Sequence, residues 1–186
     1  MKKLASGLIA CLFACTLFGC AASDEGQDGI VAKDSLEVLT QVWDNCPDSA
    51  AFPIMGGGYA APVDGAPGAV EVSDADTLEA LLVVPADAVS MLDGAASFTH
   101  AMNTNLLTAA AFHLADPNDA SAFESAYKDA VMSNQWICGA PQVLVIAHLG
   151  GGYMVSIFGD EGLVESVKGG LVAAYPSAEI TVEQSL

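Results

Sequence analysis

Apolar residues recur every three or four positions in four segments of this chain, a spacing that predicts α-helices. In the first segment, Leu36, Leu39 and Trp43 share one face, and Asp34 can cap the first turn. In the third, a cap and an N-terminal proline (Asp116-Pro117) open the pattern. The predicted helices cover residues 34–44, 76–82, 117–134 and 160–175.

Five further segments have the composition of β-strands. They are residues 96–102, 106–114, 143–149, 153–158 and 180–183. Val143–Leu149 is an almost unbroken apolar run, which is typical of a strand buried on both faces. Three glycines (150–152) separate it from the next strand, so these two strands are predicted to form a hairpin.

The strands on either side of Asn103-Thr104-Asn105 are predicted to form a second hairpin. If it is centred on Thr104, His100 lies opposite Thr108 and His113 lies opposite Ala95. The two histidines therefore do not meet in this arrangement.

Residues 47–70 are rich in proline and glycine and are predicted to be a long irregular segment packed onto the domain. From residue 95 onward the predicted order is strand, strand, helix, strand, strand, helix, strand. This order predicts a single α+β domain with an antiparallel-rich sheet of about four or five strands, covered by helices on one face.

The N-terminus has the pattern of an export signal. Lys2 and Lys3 precede an apolar stretch, residues 4–16, that is too short for a stable membrane span, and Gly19-Cys20 follows. The segment resembles a bacterial lipoprotein signal. That resemblance implies cleavage before Cys20 and acylation of the Cys20 sulfur, with palmitate-type chains that anchor the protein to the membrane.

This interpretation divides the chain into three parts. Residues 1–19 are the predicted signal peptide, residues 20–33 a flexible acidic tether, and residues 34–186 the single domain. The mature protein is then predicted to lie on the extracytoplasmic side of the cell membrane, at the bacterial cell envelope.

Charge limits the partners of this domain. After removal of the signal, three lysines oppose 23 acidic residues, there is no arginine, and the formal charge is −20. Nucleic acid is excluded as a partner because no basic surface can be assembled. Contact with the membrane must come from the lipid on Cys20. The charge allows a cationic partner, although a soluble, repulsive surface is the simpler explanation.

Two cysteines remain in the mature domain besides Cys20. Cys46 and Cys138 are an even pair in an exported protein, which predicts a disulfide between them. The alternative is two buried free thiols. Trp136–Pro141 has a superficial likeness to a thioredoxin motif, but the second cysteine is missing. A thiol-redox role for Cys138 is therefore kept only as an alternative.

No other motif predicts catalysis, a metal or a cofactor. The three histidines (His100, His113 and His148) have no metal-ligand spacing and are expected at the core or its rim. Nucleophile and phosphate-binding motifs are absent from the sequence, so enzymatic activity stays uncertain, with a small hydrolase as the remaining alternative. Apolar residues at 52–55, 91, 98 and 102 either line a binding surface or close the core.

Several short motifs resemble a family of bacterial lipoproteins without an assigned function, some members of which are labelled "bacteriocin transport accessory protein". They are Asn45-Cys46-Pro47, Phe52-Pro53, Pro67-Gly68, Leu81–Pro85, Ser97–Thr108, Gln135–Pro141 and Ala174-Tyr175-Pro176. The resemblance covers residues 34–186 and implies an extracytoplasmic α+β lipoprotein, with no catalytic residues to assign. The predicted function is a binding or accessory module at the cell envelope, with an envelope protein as a candidate partner.

Overall fold

The structure, a computed structural model, describes residues 32–47, 52–102, 105–137 and 139–186. The predicted signal peptide, the lipidation site Cys20, most of the tether and Cys138 lie outside the described residues, so these features stay predictions. None of the helices within the described ranges is long and apolar enough to cross a membrane.

The described residues form four helices and eight strands. The helices are α1 (Ser35–Asp44), α2 (Ala75–Leu82), α3 (Ala120–Ser133) and α4 (Glu161–Ala174). The strands are β1 (Ile54–Gly56), β2 (Val63–Asp64), β3 (Gly68–Val70), β4 (Leu92–His100), β5 (Leu107–Leu114), β6 (Val143–Gly150), β7 (Tyr153–Gly159) and β8 (Glu179–Ser185). All four predicted helices and all five predicted strands, which correspond to β4–β8, are confirmed.

All the strands belong to one antiparallel sheet in the order β2-β1-β4-β5-β7-β6-β8, and β3 pairs with β4 beside β1. The α+β class and antiparallel pairing are therefore confirmed, but the predicted count of four or five strands is too low. The additional strands, β1–β3, lie in the segment predicted to be irregular. They contain only two or three residues each, which is too short to show an alternating pattern.

The pairing of β4 with β5 differs by one residue from the predicted hairpin. Thr99 lies opposite Thr108, and Gly94 lies opposite His113. Both strands are almost entirely buried, on both faces of the sheet. Hydrophobic alternation fixes register only where one face is exposed, so the sequence pattern could not select between the two registers.

Helices cover both faces of the sheet, so the prediction of one covered face is wrong. One hydrophobic cluster joins α1 and α4 to side chains such as Val145 and Ala147 of β6. The other joins α2 and α3 to Leu144 and Ile146 of the same strand. The apolar run of β6 is continuous because its neighbouring residues pack into different layers.

Candidate functional site

A β-bulge lies at the end of β6, where Leu149 is an extra residue. His148 pairs with Met154 and Gly150 pairs with Tyr153, so Leu149 has no partner on β7. The bulge comes immediately before the turn between β6 and β7. Bulges bend a strand and re-aim the neighbouring side chains, and they are frequent beside functional sites.

A second bulge lies on the other side of β6, where it pairs with β8. Ile146 pairs with Val182 and Ala147 pairs with Ile180, which leaves Thr181 as the extra residue on β8. His148 is therefore flanked by irregular pairing with both neighbouring strands. As a result, the Thr181 side chain faces helix α3 and bonds to Glu124.

Three glycines form the turn between β6 and β7. Gly150, Gly151 and Gly152 all have positive φ, between 61° and 85°. Side chains are strained in this region of backbone space, so glycine is required. A Cβ atom on Gly152 would also lie only 3.1 Å from the carbonyl oxygen of Leu114. The turn thus approaches its neighbours closely and leaves the space beside His148 open.

Helix α3 supplies the third part of the site. Phe123 and Tyr127 are fully buried and pack edge-on against Phe112 of β5, with ring centroids 5.4 and 5.3 Å away. These contacts fix the rotation of α3 on the sheet. Glu124, the residue after Phe123, is consequently held beside β6 and β8.

Glu124 bonds to both strands through one oxygen. The Nε2 atom of His148 lies 2.6 Å from Glu124 Oε2, and the Thr181 hydroxyl donates to the same oxygen at 2.5 Å. The side chains of Glu124 and His148 are each 22% exposed, so they are shielded but reachable from solvent. Ion pairs in such surroundings are stronger than pairs at an open surface.

These three side chains line a cleft of about 520 Å³. Its other lining residues are Pro117, Ala120, Ser121, Leu149, Gly150, Gly151, Gly152, Tyr153, Ser177 and Glu179. The volume is in the range of small-molecule sites, which typically span 300–1,000 Å³. No lysine or arginine is among the lining residues that the structure describes, and the charged groups among them are two carboxylates and one histidine.

The order of the hydrogen bonds differs from that of a nucleophilic triad. In a triad the histidine lies between the nucleophile and the carboxylate. Here the Glu124 carboxylate lies between Thr181 and His148, and the Thr181 hydroxyl proton points to the carboxylate. This arrangement can hold a charge or bind a donor, but it gives no support to the hydrolase alternative.

A second histidine–carboxylate pair lies on the other side of the glycine turn. Nδ1 of His113 bonds to Asp93, and Nε2 lies 3.2 Å from the carbonyl oxygen of Gly151. Both partners are oxygen atoms that only accept hydrogen bonds. Burial raises the pKa of the neighbouring Tyr153, and the carboxylates of Asp34 and Asp93, followed by Glu37, raise it further.

His100 occupies a separate cavity of about 390 Å³ near the start of α4. It is buried, stacks on Phe52 and accepts a hydrogen bond at Nδ1 from the Met102 amide at 3.0 Å. Phe52 and Met102 belong to the apolar group expected to line a surface or close the core. Phe52, Ile54 and Phe98 are buried in the core, whereas Met102 is 53% exposed.

Cys46 is buried in the structure. Its Sγ atom lies 3.2 Å from Ser166 Oγ on α4. Because Cys138 lies outside the described residues, the predicted Cys46–Cys138 disulfide and the redox alternative are not tested. Across the described ranges, no group of three or more His, Cys, Asp or Glu residues could hold a metal ion.

The sequence indicated only part of the cleft. His148 interrupts the apolar run of β6 just before the glycines, but this pattern predicts only a lone core or rim residue. Glu124 and Thr181 had no sequence signal, because they are 24 and 57 positions from their hydrogen-bond partners. No family model, no curated protein and no solved structure matches this chain.

Proposed function

We propose that this protein is a lipid-anchored binding module on the extracytoplasmic side of the bacterial cell membrane, and that its ligand occupies the cleft beside Glu124 and His148. One observation carries the proposal for the cleft. Two bulges and a three-glycine turn surround a hydrogen-bonded His–carboxylate pair that lines about 520 Å³ of accessible space. An ordinary sheet end needs none of these irregularities.

The anchoring half of the proposal rests on the sequence. Gly19-Cys20 after a basic and apolar leader supports lipidation, and the family resemblance supports the same location. The strong negative charge leaves the lipid as the means of membrane contact. An envelope protein that exchanges ligand with this module is part of the same proposal.

Metabolic labelling with an alkyne fatty acid tests the anchor. The full chain should incorporate the label and fractionate with membranes, and Cys20→Ala should lose both properties. Cys46→Ala is the matched control and should keep both. Label incorporated by the Cys20→Ala variant, or a full-length chain recovered from the cytosol with its leader uncut, would contradict the anchor.

Blocking the cleft tests the binding site. Ser121 and Ala122 are neighbouring exposed residues on α3, but only Ser121 lines the cleft. Amino-acid amides, hexoses and short dicarboxylates serve as NMR probes of the mature domain. At least one class should shift the signals of His148 and Thr181, and Ser121→Trp should abolish this shift. Ala122→Trp should leave it unchanged. Shifts that are absent, or equal in both variants, would contradict the cleft as the site.

A further inference from the structure

We infer that the ligand of this cleft is a small organic cation, which presents an ammonium group to Glu124 and Glu179. This inference rests on the proposed function, because it assigns a chemical class to the ligand of the same cleft. The first support is the charge of the lining. Glu124 and Glu179 supply two negative charges, and His148 offsets at most one of them, so the cleft is anionic in either protonation state of the histidine.

The two carboxylates are brought together by the sheet register. His148 lies directly opposite Glu179 in the pairing of β6 with β8, and His148 is also bonded to Glu124. Side chains opposite each other in an antiparallel pair share one face of the sheet and lie close together. Glu179 is exposed, and Glu124 is held at the cleft wall, so both carboxylates border the same space.

The hydrogen-bonding capacity of the lining also favours a donor ligand. Both bonds that fix Glu124 fall on Oε2, so Oε1 has no hydrogen bond to another described residue. A carboxylate only accepts hydrogen bonds, and an ammonium group only donates them. Charge-assisted bonds between these groups are stronger than neutral ones. An anionic ligand finds no lysine or arginine in the lining.

The field of the whole domain acts in the same direction. The chain has 23 acidic residues against five basic ones, and two of those five precede the predicted cleavage site. A strongly negative protein attracts cations and repels anions during diffusional encounter, with an effect that weakens as salt is added. The cleft therefore lies within a field that favours the same class of ligand.

Three probes that share one hydrocarbon ring test the inference. Cyclohexylmethylammonium, cyclohexylmethanol and cyclohexanecarboxylate differ mainly in the charge of the head group. NMR titration of the mature domain should show saturable shifts at His148 and Thr181 with the ammonium probe. Its affinity should exceed those of the alcohol and the carboxylate by about tenfold or more and should fall as salt is raised.

Charge-removing variants locate the head group. Glu124→Gln should weaken binding of the ammonium probe about tenfold, and Glu179→Gln about threefold, because the exposed carboxylate is better screened. Asp129→Asn is the matched control, since it removes an exposed carboxylate from the same helix outside the cleft, and it should change affinity less than twofold. Glu179→Gln leaves the Glu124–His148 bond intact, so it reports on charge even if Glu124→Gln disturbs folding.

The possible results distinguish the class of ligand from the location of the binding site. Equal binding of the alcohol and the ammonium probe, still blocked by Ser121→Trp, would overturn the cation and leave the cleft as a binding site. Tighter binding of the carboxylate would also overturn the cation. If none of these probes or the broader probe set shifts cleft signals, both the cation and the proposed function are contradicted.

Discussion

Two histidine–carboxylate pairs among the described residues, His148–Glu124 and His113–Asp93, lie on opposite sides of one glycine turn. Their chemistry is the same, but their surroundings differ. Glu124 is 22% exposed and accepts bonds from two strands, whereas Asp93 is 52% exposed and belongs to the strand that pairs with the strand of its histidine. Only the first pair borders the cleft. Its histidine has a bulge on each side, whereas the second pair has a single irregularity, at Asp93 itself.

The difference teaches that a His–carboxylate pair by itself does not mark a site. His113 has acceptors at both ring nitrogens, and it ties strand β5 to Asp93 and to the glycine turn. Such a pair is complete without a ligand. The Glu124 pair is assembled from a helix and two distorted strands around open space, which is the arrangement that a ligand can complete.

The largest effect on stability is expected at the glycine turn that both pairs share. Gly152→Ala should lower the free energy of unfolding by about 2 kcal/mol, because alanine is strained at positive φ and its Cβ meets the Leu114 carbonyl. Urea unfolding measures this value. Gly162→Ala on α4 is the control, since a Cβ there meets no atom within 4 Å, and it should raise stability by about 0.5 kcal/mol. Equal losses in both variants would show that the turn is not constrained.

The two carboxylates should differ in their contribution to stability. Glu124→Gln weakens two bonds to a shielded, charged acceptor and should cost about 1.5–2 kcal/mol. Asp93→Asn weakens the bond between His113 and a more exposed carboxylate and should cost less than about 1 kcal/mol. Urea unfolding at neutral pH compares the two variants. A larger loss for Asp93→Asn would show that the exposed pair, and not the shielded one, contributes more to stability.

Thr181, the bulge residue of β8, should contribute to stability through its hydroxyl group. Thr181→Val keeps the branched shape but removes the donor to Glu124, and it should cost about 1 kcal/mol. Thr181→Ser keeps the donor and should recover at least half of that loss. If both variants lose the same amount in chemical denaturation, the methyl group and not the hydrogen bond holds this position.

Tyr127 carries a third polar group of interest, a hydroxyl that is fully buried. The hydroxyl of Tyr127 has no hydrogen-bond partner among the described residues, and burial raises its pKa well above the usual value, while the nearby Ser156 hydroxyl opposes the rise. Tyr127→Phe should therefore change stability at pH 7 by less than about 0.5 kcal/mol.

The same variant should respond differently to high pH. A raised folded-state pKa means that the folded chain holds its proton more tightly than the unfolded chain. Stability from this group is thus fully present below about pH 10 and falls by up to about 1.4 kcal/mol for each pH unit above it. Tyr127→Phe should unfold less steeply above pH 10 than the parent. Identical alkaline unfolding of the two proteins would contradict a fully buried Tyr127.

Elements with a long, regular pattern could be predicted from the sequence. The helices α1, α3 and α4 and the strands β4–β8 extend over at least seven residues each, and their apolar spacing or continuous apolar runs are distinct. Strands β1–β3 could not be predicted, since two or three residues carry no period. The β4–β5 register and the second covered face were missed for one reason, which is that alternation disappears in strands buried on both sides.

The site was harder to predict than the fold. Its three hydrogen-bonded residues come from α3, β6 and β8, and their meeting depends on a bulge that shifts Thr181 out of the regular pairing. A bulge places one extra residue in a strand, so residues two positions apart no longer share a face, and the simple alternation of residues 180–183 gave no sign of this break. Only His148, a polar residue at the end of an apolar run, carried any signal.

The most direct test of the central claim follows both histidines in one titration. Imidazole signals of His148 and His113 are recorded by NMR while cyclohexylmethylammonium is added to the mature domain. The account predicts a saturable shift at His148 that disappears in Ser121→Trp, and a much smaller shift at His113. A shift at His113 that equals or exceeds that at His148 would contradict the cleft as the binding site.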